Sequence, residues 1–262
     1  MDNTGNINVY ICAYPTDTRS AESSGRSLCH LAYRIGRDGH LYRSGLGITV
    51  RGGLLGISDI GLADGSEYVD ELPRELKREC GIRGFDGVFC DFEGGADEFR
   101  TRFAYDAGIY FSEQRLKFYV PEKLAAAAPQ AIILISSAVV GSSCDEVYRR
   151  AVLRYGEERT ALVYEPLCTD FVMPAPTGER KLLTRSELRA LMQREGAVGY
   201  LSQELCARYF TYRDENGRSH FVLFDDTRTM QRKLLIAGKC GFREAFVSWP
   251  DYNEYFGEPS KS

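Results

Sequence analysis

No run of about 18 apolar residues occurs in the 262-residue chain, so no membrane-spanning helix is expected. The opening MDNTGNINVY has no basic segment followed by an apolar one, and no secretion signal is expected either. Histidine is scarce: there are three, and none stands at ligand spacing from a cysteine pair, which argues against zinc or any other metal. The eight cysteines (Cys12, Cys29, Cys80, Cys90, Cys144, Cys168, Cys206, Cys240) include no C-x-x-C pair. Several sit inside apolar runs. Free buried thiols in a reducing compartment follow as the expectation, and with them a cytoplasmic location. There is no glycine-rich phosphate loop and no G-x-S-x-G elbow, so no cofactor is expected. A formal charge of −4 leaves no electrostatic footprint for nucleic acid or for an anionic membrane. No linker rich in Gly, Ser or Pro divides the chain, so 1–262 is read as one domain.

What is present is a succession of short apolar runs. With 44% hydrophobic residues the chain can bury one large core. Strands are expected at 7–14, 28–35, 53–57, 85–92, 117–120, 131–140, 160–164 (with 171–173 as a further piece) and 242–249. Helices are expected at 66–80 with Gly81 as its C-cap, and at 96–114, 145–155, 186–195 with Ser186 as N-cap, and 227–239. Residues 202–212 read as a short helix or irregular segment, and the tail past Asn253 as frayed. Helix, glycine and apolar strand in repetition point to a parallel α/β fold. Eight strands make it a small (β/α)8 TIM barrel, irregular in its C-terminal third, with its site at the C-terminal mouth of the strands. No insertion between the last two strands is evident.

The stretch Gly84 to Gly95, GFDGVFCDFEGG, reads as a core strand that ends in a glycine turn. Side chains alternate along a strand, so Phe89, Asp91 and Glu93 share one face and Val88, Cys90 and Phe92 the other. Two carboxylates then point the same way, roughly 7 Å apart along the strand. Burying acids costs free energy unless they are paired or protonated, so folding alone does not ask for this pattern. Chemistry does, because one such acid can be held protonated beside an ionised neighbour.

The pattern Asp86-Gly87-x-x-x-Asp91-x-Glu93 resembles the D-G-x-D-x-D-x-E signature of family 18 glycoside hydrolases, the chitinases and related enzymes. Phe89 stands where the second aspartate of that signature belongs. The end of the chain is also similar to the family: Asp225-Asp226 opens a helix, and a strand then leads to Trp249. So is the start, where the first strand ends in Tyr14 and the second is LCHLAY.

The resemblance implies a retaining hydrolase of β-linked N-acetylhexosamine glycans, with carbohydrate as its partner. It makes Glu93 the general acid/base and Asp91 the residue that orients the substrate's acetamide, whose oxygen attacks the anomeric carbon in place of an enzyme nucleophile. Trp249 becomes the sugar floor, with Tyr14 and Asp86 in the binding set, although Asp86 lies on the opposite strand face. The family also has a Met-x-Tyr-Asp strand end that binds the N-acetyl group. If residues 170–176 are its counterpart, Ala175 and Pro176 have replaced both groups. If residues 161–165 are, Tyr164 and Glu165 supply them. Phe89 should dry the site and raise the neighbouring carboxyl pKa values, or it marks a barrel that binds carbohydrate or a protein partner without turnover.

Overall fold

The computed structural model describes residues 7–44, 50–62, 66–174 and 179–256. Strand β1 (Asn8–Ala13) leads through the short helix α1 (Thr18–Glu22) to β2 (Ser27–Ile35), whose end pairs in a hairpin with β3 (Leu41–Arg43). Then come β4 (Leu54–Ser58), α2 (Leu72–Arg83), β5 (Gly87–Asp91), α3 (Glu98–Glu113) and β6 (Lys117–Pro121). The barrel continues with β7 (Ile132–Ser136), α4 (Cys144–Tyr155) and β8 (Thr160–Tyr164).

The chain then leaves the barrel for β9 (Cys168–Met173), β10 (Arg180–Leu182), α5 (Arg185–Glu195), β11 (Tyr200–Ser202), β12 (Ala207–Arg213) and β13 (Ser219–Phe224). It returns through α6 (Thr227–Lys239) and β14 (Glu244–Ser248) to α7 (Trp249–Phe256).

Eight parallel strands run in the order β1-β14-β8-β7-β6-β5-β4-β2, and β2 pairs back onto β1, so the sheet closes into a (β/α)8 barrel. Each of the eight main expected strand runs overlaps one barrel strand. Strands buried on both faces read as continuous apolar runs, which is why they were legible. Their outward side chains pack with the helices in one large core that includes Val88, Cys90, Phe103, Phe111, Leu162 and Leu234. The inward ones, among them Tyr10, Cys29, Leu54, Phe89, Tyr119 and Phe246, fill the barrel.

Several boundaries move for physical reasons. Helix α2 starts beside Pro73 and runs through Gly81, and the left-handed Gly84 caps it. Helix α3 is capped by Asp97, whose side chain accepts from the Arg100 amide. Thr184 rather than Ser186 caps α5, in a capping box with Glu187. Asp226 caps α6 as expected. β7 stops at Ser136, and the tail is helical from Trp249 to Phe256.

The larger correction lies between the last two barrel strands. An insertion is present there: a five-stranded antiparallel sheet ordered β10-β9-β13-β12-β11. One sheet face packs on α5 through Leu188, Leu191, Phe210, Val222 and Phe224, giving the insertion its own core. Residues 207–213 are therefore a strand, because ARYFTYR pairs along β13, and residues 171–173 belong to β9. The opposite face carries Phe171, Phe221 and Tyr209. With Val140 and Gly141, in the loop that follows β7, Phe171 and Phe221 line a groove of about 680 Å³.

The insertion is tied back at a buried ion pair. Lys233 Nζ lies 2.6 Å from Asp225 Oδ2, and both side chains are fully buried. Asp225 also accepts from the Leu167 amide (2.8 Å) and from the Thr229 hydroxyl (2.8 Å). One carboxylate thus joins the exit from β8, the end of β13 and the first turns of α6. Removing one partner strands a charge in a dry site. Lys233→Met should lower the unfolding free energy by about 3–5 kcal/mol in urea titrations. A loss under about 1 kcal/mol would show that the pair does not carry this junction.

Candidate active site

The C-terminal ends of the barrel strands form the mouth. Strand β5 brings Asp91 there, and Glu93, two residues further on and past the end of the strand, is exposed. The strand approaches β6 closely at Gly87, where a Cβ would meet the Lys117 carbonyl oxygen at 2.2 Å. Beneath Asp91, Phe89 packs on Phe246 with ring centroids 4.6 Å apart, and Phe246 contacts Tyr10 (5.2 Å) and Tyr119 (5.0 Å). The far end of the interior is sealed by Glu244, which accepts from Tyr119 Oη (2.7 Å) and Lys117 Nζ (2.5 Å).

A cavity of about 240 Å³ opens over this floor. Its lining includes Phe89, Asp91, Lys123, Leu134, Ser136 and Glu165. Burial pushes the Asp91 carboxyl up to about 6, with the charges of Glu93, Asp59 and Glu165 adding in the same direction.

Glu93 is placed through its backbone. Its amide donates to Asp59 Oδ1 (3.1 Å), and the Gly94 amide donates to Asp59 Oδ2 (2.9 Å). Asp59, buried just past β4, also accepts from Arg100 Nε at 2.6 Å. Burial pushes the Asp59 carboxyl up, but the Gly94 amide, Arg100 and the Glu93 amide outweigh it and hold it below the usual carboxylate range. Glu165 is held in a similar way. Its amide donates to Ser137 Oγ (3.0 Å), that hydroxyl donates to the Glu165 carbonyl (3.2 Å), and Ser136 Oγ donates to its carboxylate. Lys123 crosses the rim and donates to the Phe92 carbonyl at 2.7 Å.

Of the residues proposed from sequence, Asp91, Glu93, Tyr14 and Glu165 gather at the mouth. Tyr14 is half exposed, and the charges of Asp91 and Glu93 raise its pKa, second to its burial. Three others lie elsewhere. Trp249 is the first residue of α7, just past β14, and packs against Ile11, Ala13, Ala21 and Leu28. It stacks on Tyr252, away from the residues that line the mouth cavity. Tyr164 is outward by strand alternation, buried edge-on against Tyr255, so β8 offers the mouth a carboxylate but no phenol. Asp86 precedes β5 at the opposite end of the barrel, where its carbonyl accepts from the Lys117 amide. Ala175 and Pro176 lie outside the described residues.

Sequence reading did not single out Asp59 or Arg100. The available signal was an acid immediately after a barrel strand, the position at which such folds place site residues. Among the described residues no cluster of His, Cys, Asp and Glu is arranged to hold a metal ion.

Comparison with solved structures gives the same architecture at low identity. A chitinase from Chromobacterium violaceum superposes with a TM-score of 0.64 at 16% identity, over 96% of each chain. The spore cortex-lytic enzyme SleL of Bacillus megaterium gives 0.59 at 16%, over 92% of this chain and 70% of that one. A class V chitinase from Nicotiana tobaccum, also solved in complex with NAG4, gives 0.56 at 11%, over 92% of each chain. No protein-family model and no curated protein matches the sequence. The chain has the fold of the chitinase barrels.

The Asp91 environment makes stability depend on pH with a definite sign. Its carboxyl titrates near 6 in the fold against an ordinary value of 3.8, so between the two the folded state holds the extra proton. The stability it contributes is full below about pH 4 and is lost as the pH rises through 6. Asp91→Asn should therefore be more stable than the wild type at pH 7.5, by about 1–2 kcal/mol once solvent at the open mouth is allowed for. Near pH 4 the two should unfold at nearly the same urea concentration. An equal difference at both pH values would exclude burial of an ionised Asp91 as the cause.

Proposed function

We propose that the protein is a retaining glycoside hydrolase acting on β-linked N-acetylhexosamine glycans with substrate assistance. The observation that carries this is the pair at the end of β5: an exposed glutamate just past the strand and, two residues before it, a carboxyl whose pKa burial lifts to about 6. Glu93 protonates the glycosidic oxygen as the bond breaks. Asp91, two residues before Glu93, receives a hydrogen bond from the acetamide N–H and so turns the acetamide oxygen toward the anomeric carbon. As the glycosidic bond breaks, the substrate's acetamide oxygen bonds the anomeric carbon and closes a five-membered oxazolinium ring, in place of the covalent bond that a protein nucleophile would make. Water then opens that ring, with Glu93 acting as base. Glu165 and Ser136 face the same cavity and supply polar contacts to sugar hydroxyls, while Tyr14 offers the rim an aromatic surface.

The neighbours support the substrate class. The Nicotiana enzyme has been solved in complex with NAG4, and a chitinase from Cycas revoluta in complex with (GlcNAc)4. The narrow cavity fits a short glycan or a chain end. The eight unpaired thiols fit work in a reducing compartment. One observation favours a second reading, glycan binding without turnover: Phe89 removes the deeper carboxylate that the resembling signature carries.

Fluorogenic N-acetylglucosamine and chitobiose glycosides, assayed from pH 4 to 8, separate the two. On the hydrolase reading the wild type turns them over, and Glu93→Gln loses about 10²–10⁴-fold in kcat while still binding glycan. Glycan affinity with no turnover in the wild type would leave only the binding reading. Trp249→Phe supplies a check on the site's location. It should lower stability by about 1–2 kcal/mol through lost packing and leave glycan affinity unchanged. A tenfold affinity loss would place the tryptophan in the site after all.

A further inference from the structure

We infer that Asp59 and Arg100 form a clip that positions Glu93, with Asp59 a positioning residue for the acid/base; the inference rests on the reading of Glu93 given above. Glu93 lies past the last paired residue of β5, in a segment running through Gly94 to the cap of α3. Such a segment has no sheet ladder to hold it. The clip supplies the missing constraint. Both oxygens of one buried carboxylate are used, one on the Glu93 amide and the other on the Gly94 amide and Arg100 Nε. Arg100 is itself fixed, because Asp97 accepts both its backbone amide and its guanidinium. Three elements therefore meet at the peptide that follows the candidate acid/base: the end of β4, the exit of β5 and the first turn of α3.

The packing leaves no slack. A Cβ on Gly94 would lie 2.2 Å from Arg100 Cζ and 2.5 Å from its Nε, so a side chain at residue 94 would push the guanidinium off its present position against Asp59. Asp59 and Arg100 are both nearly buried, at 5% and 8% exposure, and neither lines the mouth cavity. They act on the reaction through the backbone that carries Glu93. Misplacing a catalytic group by about 1 Å can cost a hundredfold in rate. The clip should therefore govern kcat far more than substrate binding.

The test combines hydrogen exchange with steady-state kinetics on the wild type, Asp59→Ala, Asp59→Asn and Gly94→Ala. Exchange is followed by mass spectrometry on peptides spanning residues 91–98, and turnover on a fluorogenic chitobioside. In Asp59→Ala and Gly94→Ala, the amides of residues 93 and 94 should exchange about tenfold faster, with barrel-strand peptides unchanged. kcat should fall about 10–100-fold with KM within about threefold of the wild type. Asp59→Asn, which keeps one acceptor oxygen, should fall between. Gly94→Ala displaces Arg100 without altering any charge and carries both readouts if Asp59→Ala does not fold. Unchanged kcat in a variant whose two amides have lost protection would overturn the inference and leave the clip purely structural. Amides that exchange equally fast in the wild type and both variants would remove the clip itself. A wild type with no turnover would sink the hydrolase reading instead, and the exchange result would still decide whether Asp59 holds the Glu93 backbone.

Discussion

A closed barrel of eight strands has an interior that must be filled, and this requirement shapes everything above it. Here Tyr10, Phe89, Tyr119 and Phe246 fill the middle, and Lys117 with Glu244 closes the far end. Once four rings occupy the interior, polar side chains that face inward have room only at the two ends. Asp91 therefore sits on an apolar floor, and its raised pKa follows from the packing beneath it more than from any one charged neighbour. The barrel's stability and the protonation of its candidate site rest on the same contacts.

A second regularity concerns how the mouth carboxylates are held. Glu93 and Glu165 both lie just beyond their strands, where ladder hydrogen bonds run out. In each case a buried polar side chain from the neighbouring strand's end takes over: Asp59 after β4 for Glu93, and Ser137 after β7 for Glu165. The grip on Glu93 is on its peptide rather than its carboxylate, whereas the Glu165 carboxylate also accepts from Ser136. Gripping the peptide transmits the rigidity of the sheet one residue further, which positioning of a reacting group requires.

How much of this was legible from sequence follows from the range of the forces involved. Parallel strands buried on both faces announce themselves as apolar runs, and all eight could be read. The pairing of Asp91 with Glu93 needed only strand alternation. Tyr164 needed the same rule together with the exact phase of its strand, and an error of one residue reverses the face. The insertion was hidden because its strands are half exposed and mixed in pattern, so ARYFTYR suits either period. The place of Asp59 just after a strand was visible, but its role was not, since its partner Arg100 is 41 residues away and no local pattern links them.

The replacement of an acid by Phe89 looks at first like the loss of a catalytic part, yet the physics gives it another reading. In the resembling signature a deeper aspartate would raise the pKa of its neighbour by repulsion. Here burial leads instead, with the more distant charges secondary. Both routes have the same sign, since each disfavours the ionised form. They differ in what they depend on. Repulsion varies with the titration of the second acid and is weakened by salt, whereas burial in an apolar floor responds to neither. Exchanging one for the other removes a carboxylate while keeping a carboxyl that can hold a proton near pH 6 two residues before Glu93. A site built this way would lean less on a coupled pair of titrations and more on the packing of Phe89 against Phe246, which places the control of its protonation inside the hydrophobic core.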